Sequence, residues 1–352
     1  MRTLKPSPLA RAAGLLAGTA ALVVSTAVPA AADVTVTDLG TLPGGTTSRA
    51  YAVNDTGTVV GSSDDAAGVT RPVRWTPGGR TADLGTPAGH VAGTAFNLND
   101  RGVVVGRSVA ADSSEHAVRW TPDGRVTELE ALPGSTRSRA YGVNSRGVAV
   151  GFSATPDLVY QAQRWGRDGE ATRLPPLHGD VSSAAAKIND FGVAVGFSGT
   201  ADGRQHAVRW TRGGTPVPLG GVLPGDDSSQ ASWINDRGVL VGNSYQAGKG
   251  YDGPFHAVRW SRGGRVVTEL KPLPGHTGSA AYGINDRGVA VGFSYTPGGT
   301  FHAVRWEPDG RVTDLGAVVP GSSQAYLLND AGDTVGYLTT GTGEVHAARW
   351  RG

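Results

Sequence analysis

A few side chains in this sequence break an otherwise strongly repeated pattern, and these are the residues that could do chemistry. Lys187 and Trp233 stand two positions before a recurring Asn, where other copies hold Ala52, Gly142, Gly283 or Leu327; Asn97 breaks the same pattern. His90, His178 and His276 lie in segments that enter a repeat. The stretch from Asn243 to Phe255 is longer than its counterparts and holds Tyr245, Lys249, Tyr251 and Asp252. Asp226 and Asp227 precede it, and Tyr295 follows in the next copy. Aromatic rings beside hydrogen-bonding groups suit a sugar or a peptide. The candidate ligand set is therefore Lys187, Trp233, His178, His276, Tyr245, Tyr251, Asp227 and Tyr295.

Catalytic signatures are sparse. The sequence has no His-Glu-x-x-His zinc motif, no phosphate loop and no nucleophile elbow. A glycosidase needs two placed carboxylates, and no Asp or Glu lies in the segments just before the recurring Asn. Lys187, His178 and Tyr245 have the side-chain types that a lyase uses for charge neutralisation and proton transfer. No metal or cofactor is implied, because paired acids such as Asp226 and Asp227 in a Gly/Ser loop read as solvated.

The framework that must position these groups is a repeat. Arg-Trp recurs with its Trp at 75, 120, 165, 210, 260, 306 and 350, at intervals of 45, 45, 45, 50, 46 and 44 residues. An apolar-Asn-Asp-x-Gly marker begins at Asn54, Asn99, Asn144, Asn189, Asn235, Asn285 and Asn329, with Ser145 replacing Asp in the third copy. The unit from Ser279 to Leu315 shows four short strands. They are Ala280 to Ile284, Val289 to Ser294, His302 to Trp306 and Val312 to Leu315, separated by an Asn-Asp-Arg-Gly turn, a variable loop and a Pro-Asp-Gly turn. Four strands per 40–50 residues is a propeller blade.

Seven such copies predict an all-β, seven-bladed β-propeller of four-stranded antiparallel blades. Residues 34–39 look like a fourth strand with no blade before it. Residues 346–350 look like a third strand with none after it. The N-terminal strand is expected to complete the last blade and to hide sheet edges. Repeated Trp residues should pack between strands, and the Arg before each should meet a turn Asp such as Asp286 or backbone carbonyls. The third-strand residues His116, His206, His256, His302 and His346 recur around the ring and read as structural. Short turns should share one face and the variable connections the other, where binding sites usually sit.

The first 32 residues read as a secretory signal peptide. Arg2, Lys5 and Arg11 precede an apolar stretch that ends at Ala30-Ala31-Ala32. Without those three, the chain carries 29 basic and 30 acidic side chains, which argues against a nucleic-acid partner. No later segment is apolar enough for a membrane span, and there are no cysteines.

The repeat resembles the extracellular HAF repeat family, named for a His-Ala-Phe triplet. The resemblance rests on His302-Ala303 before Arg305-Trp306, on Thr313-Asp314-Leu315-Gly316, on Ser279 with Ala281, and on Ile284-Asn285-Asp286 before Val291-Gly292. At the triplet Phe is replaced by Val118, Val208, Val258, Val304 or Ala348. The resemblance implies export and repetition and supplies no reaction. The expected function is a secreted, non-catalytic binding or adhesion protein for a polysaccharide or cell-surface component. A polysaccharide lyase-like enzyme and a passive scaffold are the alternatives.

Overall fold

The computed structural model describes residues 34–252, 255–316 and 321–352; the side chains of 250–252, and residues 1–33, lie outside that description. The fold is a seven-bladed β-propeller. Blade 1 comprises Ser48–Val53, Val59–Asp64, Thr70–Trp75 and Thr81–Asp83, each antiparallel to the next. Blades 2 to 6 repeat this order, and a single parallel bridge between Arg137 and Glu115 links blades 2 and 3. Blade 7 takes Ser323–Leu328, Thr334–Thr339 and Val345–Arg351 from the end of the chain and Thr35–Asp38 from its start. The register runs from Thr35 opposite Arg351 to Asp38 opposite Ala348, and Leu39 N–H reaches Ala347 O at 2.8 Å. Among the described residues no helix is long and apolar enough to cross a membrane.

The cores lie between blades. Trp210 packs with Val150, Ala162 and Leu174 of the preceding blade, and Trp260 does the same against Val195, Ala207 and Leu219. All seven repeat Trp side chains are buried. Each removes about 150–250 Å² of surface, an upper limit of about 4–6 kcal/mol. Polar ties accompany this contact. Trp165 Nε1 donates to Glu130 O at 2.6 Å, and Trp306 Nε1 to Lys271 O at 2.7 Å. Arg119 donates to Arg167 O and Gly166 O at 2.7 and 2.8 Å, so backbone carbonyls of the next blade take the repeat Arg there.

A further tie shows how local sequence answers its neighbour. The Ala N–H of a third strand donates to a Ser in the next blade, as Ala117 does to Ser138 Oγ at 2.9 Å and Ala347 to Ser48 Oγ at 2.8 Å. Blade 1 has Pro72 in the Ala place, which has no N–H to offer. The next blade then has Gly93 where Ser would stand, and a Cβ there would meet Pro72 Cδ at 3.2 Å.

The Asn-Asp turns form a closed ring. Asn285 Oδ1 accepts Val289 N–H at 3.0 Å and closes its own turn, while its Nδ2 donates to Asn329 O at 3.2 Å in the next blade. The same interblade bond runs from Asn54 to Asn99 and onward, until Asn329 Nδ2 reaches Asn54 O at 3.0 Å. Each net bond of this kind contributes about 1 kcal/mol.

Candidate functional site

The first strand of every blade lines the central channel and carries a β-bulge at one fixed position. The register slips between Ala50 and Ala52, Ala95 and Asn97, Ala140 and Gly142, and at the matching place in the other four blades. A bulge leaves one residue unpaired and re-aims its side chain. The bulged residues are Tyr51, Phe96, Tyr141, Ala186, Ser232, Tyr282 and Tyr326. The repeated Val-Gly of the second strand is the counterpart of this bulge. A Cβ on Gly61 would sit 1.9 Å from Arg49 O, and one on Gly196 would sit 2.0 Å from Ala184 O, so only Gly fits.

Five bulge residues are aromatic and form a continuous arc. Ring centroids are 5.1 Å apart for Tyr141 and Phe96, 5.7 Å for Phe96 and Tyr51, 5.3 Å for Tyr51 and Tyr326, and 5.4 Å for Tyr326 and Tyr282. All pairs are tilted or edge-on, the favoured arrangement for aromatic rings. The arc is broken in blades 4 and 5, where Ala186 and Ser232 leave space. The result is an aromatic cup of about 400 Å³, with Ala184, Phe197, Gln230 and Trp233 on the open side. That size falls within the range of small-molecule sites.

Charged groups stand beside the cup. Arg49 lies over the Tyr337 ring at 5.4 Å. Arg139 bonds Tyr141 Oη at 3.3 Å and grips Glu115 through Nε and Nη2 at 2.6 and 2.9 Å. Arg107 pairs with the same carboxylate. Burial opposes charge on Glu115, but Arg139 and Arg107 outweigh it and hold its pKa below the usual range. Burial, reinforced by Tyr337, Tyr51 and Tyr282, raises the Tyr326 hydroxyl well above the ordinary phenol value.

Trp233 borders both the cup and a second chamber toward the Asn ring. Lys187 Nζ lies 4.0 Å from the centre of the Trp233 ring and donates to Asn97 Oδ1 at 2.9 Å. The same oxygen accepts Val143 N–H at 3.2 Å. The three pattern-breaking residues of blades 2, 4 and 5 thus meet inside the channel. Burial pushes the Lys187 ammonium down to about 7, against the opposite pull of Asp190, Asp236 and Asp100.

The mouth beyond carries a rim of carboxylates that the first strands themselves do not supply. Asp55, Asp100, Asp190, Asp236, Asp286 and Asp330 come from the turns, with a gap at Ser145. All six accept a backbone N–H from the preceding blade, as Asp286 Oδ1 does from Asp236 N–H at 2.9 Å. Burial, and then repulsion by neighbouring carboxylates, raises Asp55 and Asp236, although the backbone bonds partly offset this. The first strands themselves hold no Asp or Glu, as read from the sequence; the carboxylates at this mouth enter from the turns that follow them.

No family model and no curated protein matches the sequence. Its solved structural neighbours are β-propellers. Oligogalacturonate lyase in complex with manganese aligns with a TM-score of 0.60 and 13% identity, over 90% of this chain and 92% of that one. Virginiamycin B lyase from Staphylococcus aureus aligns at 0.55 and 14%, over 90% and 98%. A streptogramin B lyase aligns at 0.55 and 12%, over 90% and 98%. At these identities the likeness concerns the fold.

The sequence-derived ligand set does not gather in one place. Lys187 and Trp233 touch, as above. His178 is exposed in the connection entering blade 4. His276 Nδ1 lies 2.9 Å from Ser294 Oγ, and its ring packs edge-on to His302. Burial, with His302 beside it, pulls the His276 pKa down. Tyr245 Oη donates to Gln205 Oε1 at 2.6 Å, and Asp227 Oδ1 accepts Ala247 N–H at 2.8 Å. Tyr295 Oη accepts Phe255 N–H at 2.9 Å. None of these lines the cup, and the Tyr251 side chain lies outside the described residues. The aromatic arc was missed as a site. Its signal was a position aromatic in five blades and small in two adjacent ones.

Proposed function

We propose that this is a secreted, non-catalytic binding protein that captures the end of a glycan in the aromatic cup. One observation carries the reading: a five-ring arc interrupted only at Ala186 and Ser232, which makes a one-sided pocket out of a symmetric channel. Sugar rings present apolar C–H faces that stack on aromatic rings, and the Tyr hydroxyls and Gln230 of the lining supply hydrogen bonds. Among the described residues the cup lining contains no carboxylate and no imidazole, and the burial that raises the Tyr326 hydroxyl opposes its use as a base. Lys187, the group suited to a lyase, lines the chamber on the other side of Trp233. The reading includes export by residues 1–32 and membership of the extracellular HAF repeat family. Together these would present the cup to polysaccharide or cell-surface material.

The test is a glycan array with the purified protein, repeated with Ser232→Tyr. The substitution supplies one of the two missing rings and narrows the open side. We expect at least a tenfold loss of binding, about 1.4 kcal/mol, with an unchanged circular dichroism spectrum. An array with no signal overturns the glycan reading and leaves a scaffold. Rising ultraviolet absorbance on uronate polymers overturns the non-catalytic reading.

A further inference from the structure

A different set of residues, at the loop-side edge of blade 2, converges in a way no other blade matches. His90 opens the first strand, His90–Leu98; His116 lies in the third, Glu115–Trp120; Glu128 ends the fourth, Val126–Glu128. His90 Nε2 is 3.1 Å from Glu128 Oε1, and His116 Nδ1 is 3.1 Å from Glu128 Oε2. The three ligand atoms lie within 4.8 Å of one another, and among the described residues no other three His, Asp or Glu side chains converge so closely.

The far side of each imidazole is held as well. His90 Nδ1 meets Ser108 Oγ at 2.7 Å. In most blades this serine accepts a backbone N–H, as Ser153 does from Leu132 at 3.2 Å. The equivalent residue in blade 2 is Pro87, which has no N–H, so Ser108 is left for His90. His116 Nε2 meets Ser114 Oγ at 2.8 Å, while that hydroxyl donates to Asp112 Oδ1 at 2.6 Å. With its proton committed to Asp112, Ser114 accepts Nε2–H from His116. The lone pair of the neutral ring is thereby turned toward Glu128. Either a ring proton or a metal ion between that nitrogen and the carboxylate makes the contact attractive; a proton serves at His302–Asp314 and His346–Asp38, and what sets blade 2 apart is the second imidazole on the same carboxylate. Hydroxyls that fix the outer nitrogens of two histidines are the supporting shell that metal-binding imidazoles use. The His90 side chain is only 7% exposed, so its orientation is set by packing.

Comparison with the other blades isolates the feature. Blade 6 also pairs two histidines, with rings 4.9 Å apart, but has Asp314 in the Glu128 place, and it bonds His302 at 2.9 Å. In blades 4 and 5 the entering residue is an acid, and Asp180 and Asp226 each pair with one histidine at 3.2 and 2.9 Å. Only blade 2 combines both imidazoles with the longer carboxylate.

We propose that His90, His116 and Glu128 bind one transition-metal ion of the zinc class. Two imidazoles and a carboxylate suit Zn²⁺, Ni²⁺ or Cu²⁺ and not Mg²⁺ or Ca²⁺, which prefer all-oxygen shells. Zinc bonds of about 2.0–2.2 Å need only a small closure of the three side chains. Three protein ligands leave a fourth position for water or a ligand atom. The ion would tie strands one, three and four of blade 2 together at the face that carries the variable loops.

The experiment is calorimetric titration of untagged full-length protein with ZnCl₂, with MgCl₂ as the contrast. We expect one zinc equivalent and no magnesium binding. His90→Gln and Glu128→Gln should each weaken zinc binding at least tenfold, and Ser108→Ala by about 10–100-fold. His276→Gln, at the matching position of blade 6, should leave it unchanged. Near-ultraviolet circular dichroism of the Trp residues verifies that each variant is folded. Equal zinc affinity in wild type and folded His90→Gln, or a loss in His276→Gln of the same size, overturns the site.

Discussion

Replacing Lys187 with Met tests how the channel treats a buried charge. The amine has an ordinary value of 10.5 and is pushed down to about 7 by burial. Between those values the unfolded chain holds a proton on Lys187 that the folded chain lacks. Folding must release it, so stability rises with pH through that window, by about 1.4 kcal/mol per unit. Below about 7 the residue is charged in both states and the cost is constant; above 10.5 it is neutral in both and the cost vanishes. The ceiling between about pH 7 and about pH 9.5 is about 3 kcal/mol. Water reaching the half-buried side chain reduces this, and we expect roughly 1–2 kcal/mol. Lys187→Met removes the titration, keeps much of the volume over Trp233, and leaves Asn97 Oδ1 with its bond from Val143 N–H. Urea unfolding of both proteins at the two pH values isolates the effect as a difference of differences. Wild type should gain stability relative to the variant as pH rises. A difference that does not change with pH would show that Lys187 stays charged when folded, and would refute the reasoning.

Two further outcomes follow from the fold. Gly196→Ala puts a Cβ 2.0 Å from Ala184 O, an obstacle that is backbone and cannot swing away. It should cost about 3 kcal/mol, the upper part of the overpacking range, read as a lower urea midpoint. Gly213→Ala, whose nearest neighbour is 3.8 Å away, is the control and should change little. Deleting residues 34–39 removes the pairing of Thr35–Asp38 with the last strand and bares a sheet edge. Light scattering should show more soluble oligomer or aggregate than the intact protein gives at the same concentration.

Architecture was legible because the repeat supplies seven readings of the same pattern, and the two incomplete ends pointed to each other. The site was legible only in part. Asn97, Lys187 and Trp233 stood out as departures, and the structure brings all three into contact. What could not be read was the bulge. Simple alternation puts Tyr51 and Ala52 on opposite faces, and the slip that re-aims the aromatic leaves no signal in one strand alone. Its only trace is the Val-Gly opposite, whose necessity is a contact between two backbones. His90 and His276 were visible as additions to the pattern. Their approach to His116 and His302 depends on cross-strand register, which composition does not specify. The repeat Arg had two proposed partners; Arg119, Arg164 and Arg259 bond carbonyls, and Arg349 bonds both Gly57 O and Asp333. That choice is geometric.

Every asparagine in the turn circle carries both halves of its joint: an amide that gives and a carbonyl that receives. Any copy is thus compatible with any other as its neighbour, and the joint holds no record of which unit follows which. Order is written elsewhere, in singular substitutions such as the proline–glycine match at 72 and 93 or the lysine–tryptophan match at 187 and 233. Exchange of whole units between positions would therefore spare the circle while scrambling the interior, so a scaffold of this kind can acquire new cavities by recombination without first risking its closure.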